Sequence, residues 1–289
     1  MPPAEVCPPV AEARTSRMLD VAPPYQLVKA RHGWMLCNLN DFYMGKAVAT
    51  YGECCELESQ FLLNLVGRGG TVVEVGANMG VHTVPLAQSL AAQGRQVLAF
   101  EPQRVIFQQL CANLALNGLT NVNALPYACG ATAGVVTFAE PNYQQLGNFG
   151  GISMQAAEQA SQVLVPCVRV DDVVNSEHVG LIKVDVEGFE LKVLQGAAST
   201  VQRCRPLLYV ENDRPDRSRE LIEWIWAAGY NLWWHKPWLF NPDNYFEVTE
   251  NLYSGVASFN MLGVPREVNT NILGMEMVVD SSSHPLIPK

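Results

Sequence analysis

The chain has 289 residues, 48% of them hydrophobic, and a formal net charge of −9. That length holds one large α/β domain with extensions, or two small domains, around a substantial core, and the acidic balance argues against nucleic acid as a partner, because binding it relies on Lys and Arg neutralising phosphates. There is no apolar run long enough to cross a bilayer, and the opening MPPAEVCPPVAEARTSR lacks the basic-then-apolar order of a secretory signal, so no membrane association and a cytoplasmic location are expected.

Repeated prolines over residues 1–24 read as an extended or disordered lead-in. Strand-like runs at 25–30 and 34–39 flank a His32-Gly33 turn, and Leu57, Phe61, Leu62 and Leu65 carry helical spacing across 56–66. Together these make residues 25–70 an N-terminal cap of a hairpin and a helix. From residue 71 the alternation is regular: strand 71–76, helix 81–93, strand 96–100, helix 103–117 and strand 122–128. A strand pair at 134–139 and 163–170 brackets a Gly- and Gln-rich loop, 141–160. Strand 180–185, helix 189–199, strand 206–211, helix 215–228, strand 230–235 and a last strand near 255–264 complete the domain 71–265, and 266–289 reads as a loose tail. This is an α/β pattern, a mostly parallel sheet with helices on both faces, and such sheets bind ligands outside the carboxyl ends of their strands. The eight cysteines show no CxxC pair and no zinc-type spacing, which makes them reduced core thiols.

The corner after the first strand of the domain is Glu74-Val75-Gly76-Ala77-Asn78-Met79-Gly80. Gly76 permits positive φ and leaves room for a ligand against the backbone, while Gly80 lets the next helix start close to the strand. A dinucleotide site calls for G-x-G-x-x-G, and only G-x-x-x-G is present. Phe100-Glu101-Pro102 closes the second strand, where an acid can accept both hydroxyls of a ribose. Glu74 adds a second negative charge, which suits a cation better than a phosphate. S-adenosylmethionine, a nucleoside with a sulfonium and no phosphate, fits this corner better than NAD. The plainer reading of Glu101 is a solvated strand-end acid. Pro85 is awkward inside a helix begun at Gly80, so the regular helix is expected to start nearer His82 or Thr83.

VVEVGANMGVHTVPLA, then AFEP, then IKVDVEGFELKVLQGA, resembles the FkbM family of S-adenosylmethionine-dependent methyltransferases, over roughly residues 50 to 265. The resemblance implies a Rossmann-like class I methyltransferase fold, a seven-stranded sheet with its last strand antiparallel. It also implies O-methylation of a hydroxyl on a sugar, glycan or natural-product small molecule. Carried onto this chain, the cofactor contacts are Glu74, Gly76, Asn78, Gly80 and Glu101, with Ala77 and Pro102 in the same two turns; Tyr127 and Ala128, at the end of the third strand, are expected beside adenine.

Asp185, Glu187 and Glu211 end the fourth and fifth strands on the same sheet edge, where a carboxylate raised by acidic neighbours could serve as the base for methyl transfer. The alternative is that Glu187 and Glu190 serve the following helix and that Asp185 accepts loop amides. A magnesium-assisted arrangement of Asp185 with Glu211-Asn212 is the less favoured version, and no metal ligand is assigned. His82 and His235 are further acid–base candidates, His235 being the stronger, although His82 could simply cap or pack. The Asn/Asp-Pro-Pro-aromatic motif of enzymes that methylate base amino groups is missing after the fourth strand. Trp238, Phe240 and Asn244 mark a loop whose aromatic faces could stack on an acceptor, and the acceptor pocket is expected from the cap, loop 141–160 and segment 236–250. An NAD-type oxidoreductase and a catalytically silent nucleotide-binding module are the competing readings. The oligomeric state stays open.

Overall fold

The computed structural model describes residues 21–151, 162–270 and 272–287. The lead-in before residue 21, most of the second half of the 141–160 loop and the last two residues lie outside them.

The chain begins with an antiparallel hairpin, β1 (Tyr25–Ala30) and β2 (Gly33–Asn38), followed by α1 (Met44–Tyr51) and α2 (Glu56–Leu65). The first helix is absent from the sequence expectation, because MGKAVATY has no charged flanks and its buried face is built from small residues, Gly45 and Ala47 beside Val48 and Tyr51. Gly45 lies so close to the Asn38 carbonyl that a Cβ there would meet it at 1.9 Å. The cap is therefore a hairpin and two helices.

The main sheet is built from β3 (Thr71–Val75), β4 (Val97–Phe100), β5 (Val122–Leu125), β9 (Val179–Val184), β10 (Leu207–Glu211), β11 (Tyr230–His235), β12 (Asn260–Pro265) and β13 (Glu276–Met277). Their spatial order is β13-β11-β12-β10-β9-β3-β4-β5. The five strands β10, β9, β3, β4 and β5 run parallel, and β12 enters antiparallel between β10 and β11. The expected seven strands are present and the last long one is antiparallel; the eighth is the two-residue β13, which pairs Trp233 with Met277. Side chains alternate between the two faces of this sheet. Val72, Leu181 and Tyr209 pack with the cap and with α3 (Thr83–Ala91) and α4 (Arg104–Leu116), whereas Val73, Ile182 and Leu208 pack with α6 (Glu190–Gly196), α7 (Ala198–Cys204) and α8 (Pro215–Ala227).

Four expectations change in detail. The strand expected over 122–128 stops at Leu125, and Ala128–Cys129 forms β6 of a separate sheet, ordered β6-β8-β7, with β7 (Gly134–Ala139) and β8 (Gln162–Val168). Pro126 interrupts the run, since proline cannot donate to the ladder. The helix expected at 189–199 breaks at Ala197 into α6 and α7, and a further short helix, α5 (Val170–Val173), precedes β9. The last strand starts at Asn260, because 236–259 is an excursion folded over the strand ends. Finally, residues 266–287 are not loose: β13 pairs with β11, and buried His284 meets the Asn212 carbonyl at 2.8 Å through Nε2. No described helix is long and apolar enough to cross a membrane.

Candidate active site

The corner after β3 is tight for a reason the motif alone does not reveal. A Cβ on Gly76 would stand 1.8 Å from the backbone oxygen of Asp185, and Gly76 adopts φ +85°. The glycine is thus needed for the close passage of the neighbouring strand end, in addition to any ligand. Gly80, at φ +94°, makes room for Leu110 of α4. The regular helix then begins at Thr83, as Pro85 demands, and no side chain caps it.

Glu101 is 3% exposed, and its two oxygens each accept a backbone amide, Oε2 from Asn78 at 2.9 Å and Oε1 from Gln103 at 2.8 Å. The carboxylate therefore ties the glycine corner to the end of β4, leaving its remaining lone pairs to a cavity that both turns line. Asn78 sits in the left-handed region at φ 49°, where Asn is tolerated better than most residues. The same cavity is lined by Gly76, Pro102 and Gln103, by Asp185, Glu187, Glu211 and Asp213 at the other strand ends, and by Cys55, Glu58 and His82. Tyr43 and Met44 of the cap, Asn148 to Gly151 in part, and Leu239 with residues 256–259 of the excursion close it. The cap, the described half of the 141–160 loop and the excursion thus all reach the cavity.

Other expected contacts lie elsewhere. Glu74 is fully buried beneath the corner and accepts the Thr83 hydroxyl at 2.7 Å. Ala77 is buried in the core, and neither it nor Gly80 is among the cavity-lining residues. Tyr127 and Ala128 are also off the cavity wall, Ala128 packing in the small sheet with Phe138, Val165 and Cys167, because the strand ends before them. His235 is turned away too, its Nδ1 2.7 Å from the Tyr209 hydroxyl and its ring stacked on Phe61. Of the suspected aromatic tip, Trp238 is more than half exposed outside the cavity, and Asn244 is buried holding the Val248 backbone.

A residue that sequence reasoning missed sits below the acids. Lys183 is 1% exposed, with Nζ 3.0 Å from Asp185 Oδ2. Burial alone would lower its pKa, but Asp185, Glu58 and Glu74 outweigh that and raise it, so the ammonium stays charged. A lone Lys inside the otherwise apolar run VGLIKV was the available signal, since an unpaired lysine there would not be tolerated. Burial pushes Glu58 and Glu101 up to about 7, and pushes Glu187, with added repulsion from Asp185 and Asp213, to about 8. Glu211 is raised well above its ordinary value by burial and then by Asp185 and Glu187.

Among the described residues, Glu187, Glu211 and Asp213 bring carboxylate oxygens within 4.8 Å of one another. Arg214 already bridges that group, ion-paired to Glu187 and, at 3.0 Å, to Asp213. Of the residues considered for magnesium, Asp185 and Glu211 line the cavity, whereas Asn212 is buried and its Nδ2 donates to Ser218 Oγ at 2.8 Å.

The sequence matches the model of the methyltransferase FkbM domain over residues 74–232. The chain belongs to the FkbM methyltransferase family. The FkbM match starts at Glu74 and ends at Leu232, so the cap and the excursion fall outside it. Methyltransferase sdnD of Sordaria araneosa is 29% identical over 184 residues, which cover 53% of this chain and 70% of that protein. The hexuronic acid methyltransferase AglP of Haloferax volcanii is 28% identical over 132 residues, 45% of this chain and 50% of that one. The crystal structure of an FkbM methyltransferase from Methylobacillus flagellatus aligns with TM-score 0.46 and 18% identity, covering 68% of this chain and 44% of the other.

Proposed function

We propose that this FkbM methyltransferase takes S-adenosylmethionine as its methyl donor and methylates a hydroxyl of an uncharged sugar or natural-product small molecule. One observation supports the donor above the rest: a buried carboxylate, Glu101, lines the cavity while holding the amide of Asn78 in the glycine corner. A carboxylate so placed accepts ribose hydroxyls and repels phosphate. The bound donor supplies an electrophilic methyl group, and the chain supplies placement. Gly76, Asn78, Glu101 and Pro102 form the nucleoside side of the cavity, and Asp185, Glu187, Glu211 and Asp213 form an acidic wall that favours a cation over an anion. Lys183 fixes the carboxylate of Asp185 from below, so that its other oxygen keeps a constant orientation. The same wall favours an uncharged acceptor. The relative from Haloferax volcanii acts, by its name, on a hexuronic acid, and a sugar of that kind fits this cavity better with its acid masked.

Calorimetric titration tests the donor directly. S-adenosylmethionine is expected to bind and NAD not to, and Glu101→Ala is expected to weaken the former by roughly 10- to 100-fold, the worth of hydrogen bonds to a charged acceptor. Binding of NAD alone would remove the reading.

A further inference from the structure

Two cavity-lining groups lie outside the nucleoside side and the acidic wall described above: Glu58, on α2, and His82, just before α3. Glu58 precedes the part of the chain that matches the family domain. Its side chain is almost fully buried, yet Oε1 has no hydrogen-bond partner, while Oε2 accepts from Asn260 Nδ2 at 3.3 Å. His82 Nε2 stands 3.4 Å from that free Oε1, too far for a good hydrogen bond, and its Nδ1 is 2.9 Å from Ser59 Oγ. Burial, then Lys183 and His32, keep the imidazole neutral. Glu58 Oε1 is thus left without a partner beside a cavity that Glu58 and His82 both line, with the neutral imidazole 3.4 Å away.

We propose that Glu58 is the base that receives the acceptor's hydroxyl proton, with His82 as the positioning residue that aims its Oε1. The inference rests on the reading of hydroxyl methylation above. In the step, the acceptor O–H proton passes to Glu58 Oε1 as the oxygen forms its bond to the methyl carbon. The S–C bond breaks with its electron pair left on sulfur, so a sulfonium and an alcohol become a thioether and an ether, with the proton on the carboxylate.

The other acids of the wall are less suited. Asp185 is engaged by Lys183, and Glu187 and Asp213 by Arg214. Glu211 also has an unpartnered oxygen, but burial, then Asp185, Glu187 and Asp213 around it, disfavour the ionised form that a base needs. Glu58 faces Lys183 and Asp185 from β9, Tyr209 from β10, Cys55 at the start of its own helix and His82, a balance that leaves it close to neutrality.

The test uses the full chain, labelled S-adenosylmethionine and neutral methyl glycosides as hydroxyl probes. Wild-type transfer is expected to rise with pH through about 7, the value to which burial lifts Glu58. Glu58→Gln is expected to bind S-adenosylmethionine within about threefold of wild type while transferring at least ~100-fold more slowly, with the rise near neutrality gone. Infrared titration of the ligand-free protein should show a carboxyl band that disappears through the same pH and is missing from the variant. His82→Gln, which keeps the carboxylate, should displace the rise by half a pH unit or more, and it decides the matter if Glu58→Gln does not fold. Wild-type speed in Glu58→Gln, or an unmoved profile in His82→Gln, overturns the assignment. No transfer by the wild type to any glycoside removes the hydroxyl reading beneath it instead.

Discussion

Gly76 and Glu101 illustrate how much of the site is set by single side chains, or by their absence. At Gly76 the left-handed backbone and the Asp185 carbonyl both forbid a Cβ. Gly76→Ala is therefore expected to cost more than about 3 kcal/mol, beyond the usual penalty of positive φ alone, and to lower the thermal midpoint by ten degrees or more. A midpoint within two degrees of wild type in a melting experiment would show that β9 can move aside. Both residues stand out in the sequence because a strand-ending glycine and a strand-ending acid have a spacing with a known physical use. Glu58 does not stand out in this way, and Lys183 shows only as a lone charge in an apolar run. Their importance comes from partners 125 residues apart in the chain, which no local pattern encodes, and Glu74 resembles a ligand contact only if every strand end is taken as exposed.

Between elements, the cap is fastened to the domain by amide side chains as well as by the apolar core that the two share. Asn113 of α4 accepts the Leu36 amide at 2.6 Å and donates to the Met79 carbonyl at 2.8 Å, so one side chain holds β2 against the glycine corner. Asn117, one turn later, makes the same two-way bond to Trp34. Because Asn113 is fully buried, Asn113→Leu takes a partner from three backbone groups, the Leu36 amide and the Leu36 and Met79 carbonyls, and is expected to destabilise the protein by about 3 kcal/mol. Hydrogen exchange should then show β1 and β2 opening ahead of the sheet; unchanged protection of the hairpin would mean that packing alone retains it. The βα alternation was legible because buried parallel strands and amphipathic helices have distinct periods. The excursion 236–259 was not, since its backbone is held by side chains from distant segments, as when Tyr51 donates to the Glu250 carbonyl and accepts the Leu252 amide.

At the scale of the whole molecule, the buried acids set how stability depends on pH. Glu58, Glu74 and Glu101 are each pushed by burial to about 7, above the usual value of about 4.3 in an unfolded chain. Between those values the folded state holds more protons than the unfolded state, so their contribution is complete below the unfolded pKa and is lost as pH rises through about 7. Asp171 works the other way: burial opposes ionisation, but the Thr200 and Ser199 amides lower its pKa, and its contribution is lost on acidification. The ligand-free protein is expected to be most stable at about pH 4, above the titration of Asp171 and below the window of the raised carboxyls, and to lose a few kcal/mol by pH 8, as read from urea midpoints. Stability that climbs steadily to pH 8 would show that these carboxyls are ionised in the fold.

Glu53 has a consequence for any attempt to reprogramme this enzyme. It lies ahead of the matched domain, pairs with Arg31 at 2.5 Å, and also receives Asn241 Nδ2 at 2.8 Å and the Tyr245 amide at 2.9 Å. One carboxylate thus laces together two pieces of chain that flank the shared domain and both contribute to the cavity wall. A chimaera that borrowed only the later piece from a relative would leave that knot half tied, so selectivity should transplant as a matched pair of segments or not at all.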